Sequence, residues 1–128
     1  MIKILYAEDE EDIQIIAKIA LEELGGFEVK YCNNGKEVLD NIEAYQPDLL
    51  LLDVMMPGMD GPATLQKIRE NPAYTKIPAI FMTAKIQPNE IVQYREMGVV
   101  DVIAKPFDPM KLAESVRLGL EKSRHFIE

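Results

Sequence analysis

The sequence predicts an α/β domain of the doubly wound kind, a five-stranded parallel sheet with five helices spread over both faces. Short apolar runs alternate with helix-period segments five times over, the pattern of successive βα units. The third run, Leu49-Leu50-Leu51-Leu52, is apolar without interruption, as suits a strand buried on both faces. Carboxylates stand where two of the runs stop: Glu8-Asp9 after the first and Asp53 after the third.

Each element has its own signal. The strands are expected at Ile2–Ala7, Phe27–Cys32, Leu49–Asp53, Ala79–Met82 and Val102–Ala104. After the first, Ile13, Ile16, Ala17, Ala20, Leu21 and Leu24 recur at helical spacing and predict an amphipathic helix. Gly25-Gly26 ends it. Asn34, with Glu37 three residues on, reads as an N-cap and its partner, opening a helix through Val38, Leu39 and Ile42. The third helix is expected over Thr64–Glu70, with Leu65 and Ile68 on one side, and the fourth over Pro88–Met97, stopped by Gly98. Asp108-Pro109 pairs an N-cap with proline at the first helical position and starts a last helix through Leu112, Val116 and Leu120. The segment from Lys122 to Glu128 is expected to fray.

Bulk properties set the class. At 128 residues the chain has the size of one domain, and 48% apolar residues suffice for a core. A formal charge of −8, from 14 basic and 22 acidic residues, argues against a nucleic-acid footprint and against anionic membrane surfaces. Cys32 is the only cysteine; no intrachain disulfide is possible, and a small core residue in a reducing compartment is expected. The start shows no signal-peptide pattern, and no apolar run approaches the ~20 residues of a membrane span. A soluble, cytoplasmic protein is expected.

Right-handed crossovers and ligand binding outside the carboxyl ends of parallel strands turn these elements into a site. If strands one and three are parallel neighbours, Glu8, Asp9 and Asp53 converge. Two unit charges ~4 Å apart repel by about 4 kcal/mol at an effective dielectric near 20, so the cluster calls for solvent, protons or a cation. Oxygen-only ligands favour Mg²⁺. Thr83 and Lys105 follow strands four and five. Together the five make a set for phosphoryl transfer to a carboxylate: Asp53 as nucleophile, Glu8 and Asp9 holding Mg²⁺, Thr83 and Lys105 for phosphoryl oxygens. Each also has an ordinary reading. Glu8 to Asp12 would be an acidic helix start, Asp53 a turn residue, Thr83 a cap and Lys105 a surface charge. Their joint placement at strand ends favours the site. The loop Asp53-Val54-Met55-Met56-Pro57-Gly58-Met59-Asp60-Gly61 re-aims the chain after Asp53. Lys105-Pro106 sits at a sharp strand-to-helix turn, where a cis bond would aim Lys105 back over the pocket.

The chain resembles the receiver domains of response regulators, the CheY-like family of two-component signalling. The resemblance rests on Ile4-Leu5-Tyr6-Ala7-Glu8-Asp9-Glu10, Leu51-Leu52-Asp53 with the loop to Gly61, Phe81-Met82-Thr83-Ala84 and Lys105-Pro106-Phe107. These have the family's order and spacing and cover the whole chain. The resemblance implies the flavodoxin-like strand order 2-1-3-4-5, a receiver domain over 1–124 and a tail over 125–128. It implies Asp53 as phosphoacceptor from a histidine kinase or a histidine phosphotransfer protein. It also implies direct Mg²⁺ ligation by Asp9 and Asp53, a water-mediated contact from Glu8, and the backbone carbonyl of Met55 as a further ligand. Phosphorylation would change binding of an output protein at the face of the fourth helix, fifth strand and fifth helix. Such a chain is no enzyme on outside substrates and catalyses only its own phosphorylation and dephosphorylation. A monomer or weak dimer is expected.

Two positions depart from the family pattern. Glu8 replaces the commoner Asp, and Val102 stands where an aromatic usually swings inward. Tyr94 is a candidate aromatic for the same face and is otherwise a half-buried helix residue. Met56 and Met59 are candidates for an adaptable partner surface. His125, the only histidine, lies in the tail and is not expected to relay phosphate. A Mg²⁺-dependent aspartyl phosphatase would carry a second Asp where this chain has Met55, and an FMN carrier would need a Ser/Thr/Gly-rich loop where it has Glu8 to Asp12. A receiver excised from a larger regulator or hybrid kinase is a further alternative; Met1 and the lack of a linker favour a stand-alone protein.

Overall fold

The computed structural model describes residues 1–127, with side chains through Arg124. The five parallel strands are β1 (Lys3–Ala7), β2 (Glu28–Cys32), β3 (Leu49–Asp53), β4 (Ala79–Thr83) and β5 (Val99–Ala104), in the order β2-β1-β3-β4-β5. The helices are α1 (Glu11–Lys18, continued as a wider π segment over Ile19–Leu24), α2 (Gly35–Tyr45), α3 (Gly61–Arg69), α4 (Pro88–Glu96) and α5 (Leu112–Ile127). His125 and the expected tail 125–128 lie outside the residues with described side chains; the backbone of α5 runs on to Ile127.

Strand alternation makes two cores. Leu5, Leu50, Leu52 and Phe81 point to one face, under Val38 and Ile42 of α2, Leu65 and Ile68 of α3, and Tyr94 of α4. Ile4, Tyr6, Leu49, Leu51 and Ile80 point to the other, under Ala17 and Leu21 on the α1 side and Val116 and Leu120 of α5. Every residue of β3 is buried. Each buried leucine there contributes about 1.5–3 kcal/mol relative to exposure, so Asp53 ends a strand held firmly on both faces. Cys32 is buried, as expected.

Several elements differ from expectation for identifiable reasons. Ile16 and Leu24, expected in the core stripe, are 44% and 53% exposed: the wider turns of the π segment rotate Leu24 off the sheet, and Ile16, which precedes that segment, borders the groove facing Pro106 and Phe107. Helix α3 begins at Gly61 rather than Thr64, since the Asp60 carboxylate accepts the Ala63 N–H at 2.8 Å and caps it. The regular turns of α5 begin at Leu112 rather than Pro109, yet Asp108 makes the N-cap bonds expected of it: its Oδ1 accepts the Met110 N–H at 2.9 Å and its carbonyl accepts the Leu112 N–H at 3.1 Å. Strand β5 starts three residues early, at Val99, with a register irregularity opposite Ala79/Ile80 that broke its apolar alternation in sequence.

One side chain fastens α4. The Arg69 guanidinium, from α3, donates to the carbonyls of Tyr74 (2.7 Å), Met97 (3.1 Å) and Gly98 (3.4 Å). It lies close against Gly98, whose φ of +87° gives α4 a left-handed stop.

Candidate functional site

Strand register assembles the site. Ala7 pairs with Leu52, so Glu8 and Asp53 are the next residues on adjacent strands. Asp53 pairs with Met82, and Thr83 is one step beyond. Thr83 pairs with Ala104, and Lys105 is one step beyond that. The carboxyl ends of β1, β3, β4 and β5 thereby bring all five expected residues to one edge of the sheet.

At that edge the Lys105 ammonium donates to Asp53 Oδ2 at 2.8 Å and to Glu8 Oε1 at 2.9 Å. The Lys105–Pro106 peptide bond is cis. Glu8 is wholly buried, and Asp53 nearly so. Asp53 Oδ1 accepts the Met55 N–H at 3.2 Å, which turns the chain tightly around the carboxylate. Asp9 is exposed, yet it offers an oxygen that lies, with one each from Glu8 and Asp53, inside a mutual distance of 4.8 Å. The return of the loop depends on Gly61. A Cβ there would meet the Asp53 carbonyl at 2.6 Å, so only glycine lets α3 start against the end of β3.

Burial pushes the Glu8 carboxyl up to about 7, helped by the charge of Asp53 and opposed by the Lys105 hydrogen bond. Burial alone would lower Lys105, but its bonds to Asp53 and Glu8 outweigh that and raise it. The shift at Glu8 makes stability pH-dependent with a definite sign. Its folded value lies above the unfolded value of about 4.5, so its protonation favours the folded state. That stabilisation is complete below about 4.5 and lost as pH rises through about 7. Denaturant titrations in chelator should show wild type losing stability, on the order of 2–3 kcal/mol, between pH 5 and pH 8 relative to Glu8→Gln. Parallel curves for the two proteins would contradict this environment for Glu8.

Thr83 does not face the carboxylates through a hydrogen bond. Its hydroxyl donates to the Lys85 carbonyl and accepts the Lys85 N–H, each at 3.2 Å, so it is engaged with its own loop. Tyr94 is buried rather than half-buried. It packs edge-on to Phe81 at 4.8 Å and donates its hydroxyl to Glu90 at 3.0 Å. Met56 is buried in the core and cannot serve the adaptable surface expected of it, whereas Met55 is exposed. Glu10, Glu11 and Asp12 are exposed at the start of α1, the ordinary reading. Gln14, Gly61 and Arg69 were not singled out by sequence; a lone polar residue in an apolar stripe was the only signal at Gln14.

The three-carboxylate oxygen set fits a hard divalent cation such as Mg²⁺, which takes one or two carboxylates and keeps several waters. Two of the carboxylates are already oriented by N–H donors, Met55 on Asp53 and Glu10 on Glu8.

Residues 4–117 match the family described as response regulator receiver domain. The chain belongs to that family. Receiver folds superpose closely: the Vibrio cholerae chemotaxis protein CheY4 has a TM-score of 0.86 at 25% identity, covering 92% of this chain and 98% of the other. The receiver domain of a signal transduction histidine kinase from Syntrophus aciditrophicus gives 0.81 at 33% identity, covering 94% and 91%. Among curated relatives, response regulator Rre1 of Synechocystis is 34% identical over 116 residues, 91% of this chain and 50% of the relative. Transcriptional regulatory protein CseB of Streptomyces coelicolor is 34% identical over 122 residues, 95% of this chain and 50% of the relative. The receiver thus spans about half the length of those two relatives. The expected exclusion of nucleic acid rests on the charge of these 128 residues alone and finds no support in relatives named as transcriptional regulators. Among the described residues no helix is long and apolar enough to cross a membrane.

Proposed function

We propose that this receiver is a phospho-aspartate signalling switch. Asp53 takes a phosphoryl group from the phosphohistidine of a histidine kinase or histidine phosphotransfer protein, and the change alters what binds the face of α4, β5 and α5. The observation that carries this reading is the Lys105 ammonium bridging Asp53 and Glu8 at the end of a rigid buried strand. An Asp53 carboxylate oxygen attacks phosphorus as the bond to the imidazole nitrogen breaks, and the histidine leaves with the electron pair. Lys105 is within reach of the new phosphoryl oxygens. Glu8, Asp9, Asp53 and the Met55 carbonyl would hold Mg²⁺, which when bound neutralises charge on the transferring group. The chain catalyses only its own phosphorylation and dephosphorylation, and a cytoplasmic location goes with this reading. Beside Lys105 an apolar groove of about 330 Å³ runs between Ile13 and Ile16 of α1 and Pro106, Phe107 and Pro109. Its position suits a donor that presents its histidine from an apolar helix face.

Incubation with a small phosphodonor and Mg²⁺ should add one phosphoryl group, labile to hydroxylamine as an acyl phosphate is. Uptake undiminished by a chelator, or a product stable to hydroxylamine, would refute the reading.

The output should not depend on side-chain rotation at Val102, whose β-branched side chain has few χ1 options. Donation from Thr83 to a phosphoryl oxygen requires its hydroxyl to leave the Lys85 carbonyl, which releases the exposed loop before α4. Beryllofluoride, standing in for the phosphoryl group, should therefore change amide exchange chiefly at Ala84–Glu90. Changes centred on β5 with that loop silent would count against this route. A Val102→Tyr variant should gain no phosphorylation-dependent affinity for its output protein.

A further inference from the structure

The Glu8–Asp9 peptide is suspended from both sides. Its leading residue donates the Glu8 N–H to the Cys32 carbonyl at 3.0 Å, and its carbonyl accepts from the Gln14 side-chain amide. The same Gln14 Nε2 donates to Asn33 Oδ1 at 3.1 Å. Asn33 in turn faces Glu37: its backbone N–H donates to Glu37 Oε1 at 3.1 Å, and its Nδ2 lies 3.4 Å from both carboxylate oxygens. Glu37 is itself fixed in the first turn of α2, where its N–H donates to Asn34 Oδ1 at 2.9 Å.

The chain of groups has one self-consistent orientation. A carboxylate is acceptor-only, so Asn33 must turn its NH₂ toward Glu37. Its oxygen then faces Gln14, which must present its NH₂, and that same NH₂ reaches the Glu8 carbonyl. The charge on Glu37 thereby sets the direction of both amides. The peptide held at the far end is the one from which Asp9 departs. Asp9 is the exposed member of the carboxylate set and lies on the loop between β1 and α1.

We infer that Gln14 is a positioning residue for the divalent cation site, holding the Glu8–Asp9 peptide so that the Asp9 carboxylate meets those of Glu8 and Asp53, with Asn33 and Glu37 orienting it. This rests on the reading of Glu8, Asp9 and Asp53 as the cation site. Outer partners of metal ligands typically matter by 10–100-fold in affinity. This one acts through a backbone carbonyl near the surface, so the low end applies.

The test is a Mg²⁺ titration of the unphosphorylated protein, followed by backbone amide shifts, with thermal unfolding in chelator alongside. Gln14→Ala should weaken Mg²⁺ binding about tenfold, and Asn33→Ala should weaken it less. Gln14→Glu gives the sharpest contrast. It is nearly isosteric and adds a negative charge beside the site, which by simple attraction would tighten Mg²⁺ binding. It lacks the donor, however, so binding should instead be weaker. The double variant Gln14→Ala/Asn33→Ala should be no weaker than Gln14→Ala alone, since the two act through one contact. Wild-type affinity in Gln14→Ala, or tighter binding in Gln14→Glu, overturns the inference while leaving the cation site intact. A lower melting temperature with unchanged affinity also overturns it, because a purely structural bond would do that. If wild type itself shows no Mg²⁺-dependent shifts at Glu8, Asp9 and Asp53, the site reading falls, and this inference with it.

Discussion

Asp53→Ala should abolish phosphoryl uptake while leaving the fold intact. The residue ends a strand whose every position is buried, and its carboxylate is held by the Lys105 ammonium at 2.8 Å and the Met55 N–H at 3.2 Å. Among the described residues, Glu8 is the one other carboxylate bonded to the same ammonium. Glu8 shares the lysine but is wholly buried, and Asp9 is exposed without a resolved hydrogen bond to the ammonium. Loss of label should therefore be complete, with no transfer to either neighbour. The variant should unfold at the same temperature or higher in chelator. Lys105 keeps its bond to Glu8, and one of two neighbouring like charges is gone. Mass spectrometry after incubation with a phosphodonor decides the matter, and full labelling at another carboxylate would remove Asp53 from its assigned role.

Lys105→Ala should produce the largest loss of stability among single changes at the site, and Mg²⁺ should repair it. The Lys105 side chain is only 13% exposed, and its ammonium bridges two nearly inaccessible carboxylates. Removing it leaves two buried negative charges face to face. Breaking a buried pair of this kind costs about 3–5 kcal/mol, reduced here to roughly 2–4 by the ability of Glu8 to take a proton. The deficit should shrink from pH 8 toward pH 6, since Glu8, already pushed up by burial and now without the Lys105 bond that lowers it, takes up a proton. A divalent cation supplies the missing positive charge, so Mg²⁺ should raise the melting temperature more in Lys105→Ala than in wild type. The variant should still accept some label. Its beryllofluoride-dependent exchange at Ala84–Glu90 should be much reduced, because the link from the phosphoryl group to the output face is cut. Equal Mg²⁺ stabilisation of the two proteins would show that Lys105 and the cation do not share the same carboxylates.

Much of this site was legible in the sequence because a parallel sheet converts sequence position into spatial position. Once the apolar runs are strands in register, whatever follows them must lie along one edge. That logic needs no side-chain detail, and Glu8, Asp53, Thr83 and Lys105 all obeyed it. What was not legible depends on angles and on reach. The π segment after α1 changes the phase of the helix without changing its composition, so Leu24 passed for a core residue. Asp60-Gly61 passed for loop because its capping role depends on where β3 delivers the chain. The capping bond of Asp108 was legible, but the point at Leu112 where the regular turns of α5 set in was not. Gln14 and Arg69 act on backbone carbonyls far away in sequence, and no spacing rule announces such partners. The present bonding of Thr83 to Lys85 was equally hidden, since a hydroxyl rotates to suit its neighbours.

The three carbonyls gathered by Arg69 give α4 the mechanics of a hinged lever. Its last turn is anchored to α3 by the guanidinium, while its first turn has no side-chain cap and emerges from an exposed loop. Nine helical residues make an arm about 13 Å long. A tilt of about 10° about the anchored end would carry the free end more than 2 Å and leave the fulcrum almost still. If the proposed switch shifts the loop between Thr83 and Pro88, the uncapped first turn would take up the motion, while the Arg69 fastening would hold the far end against α3.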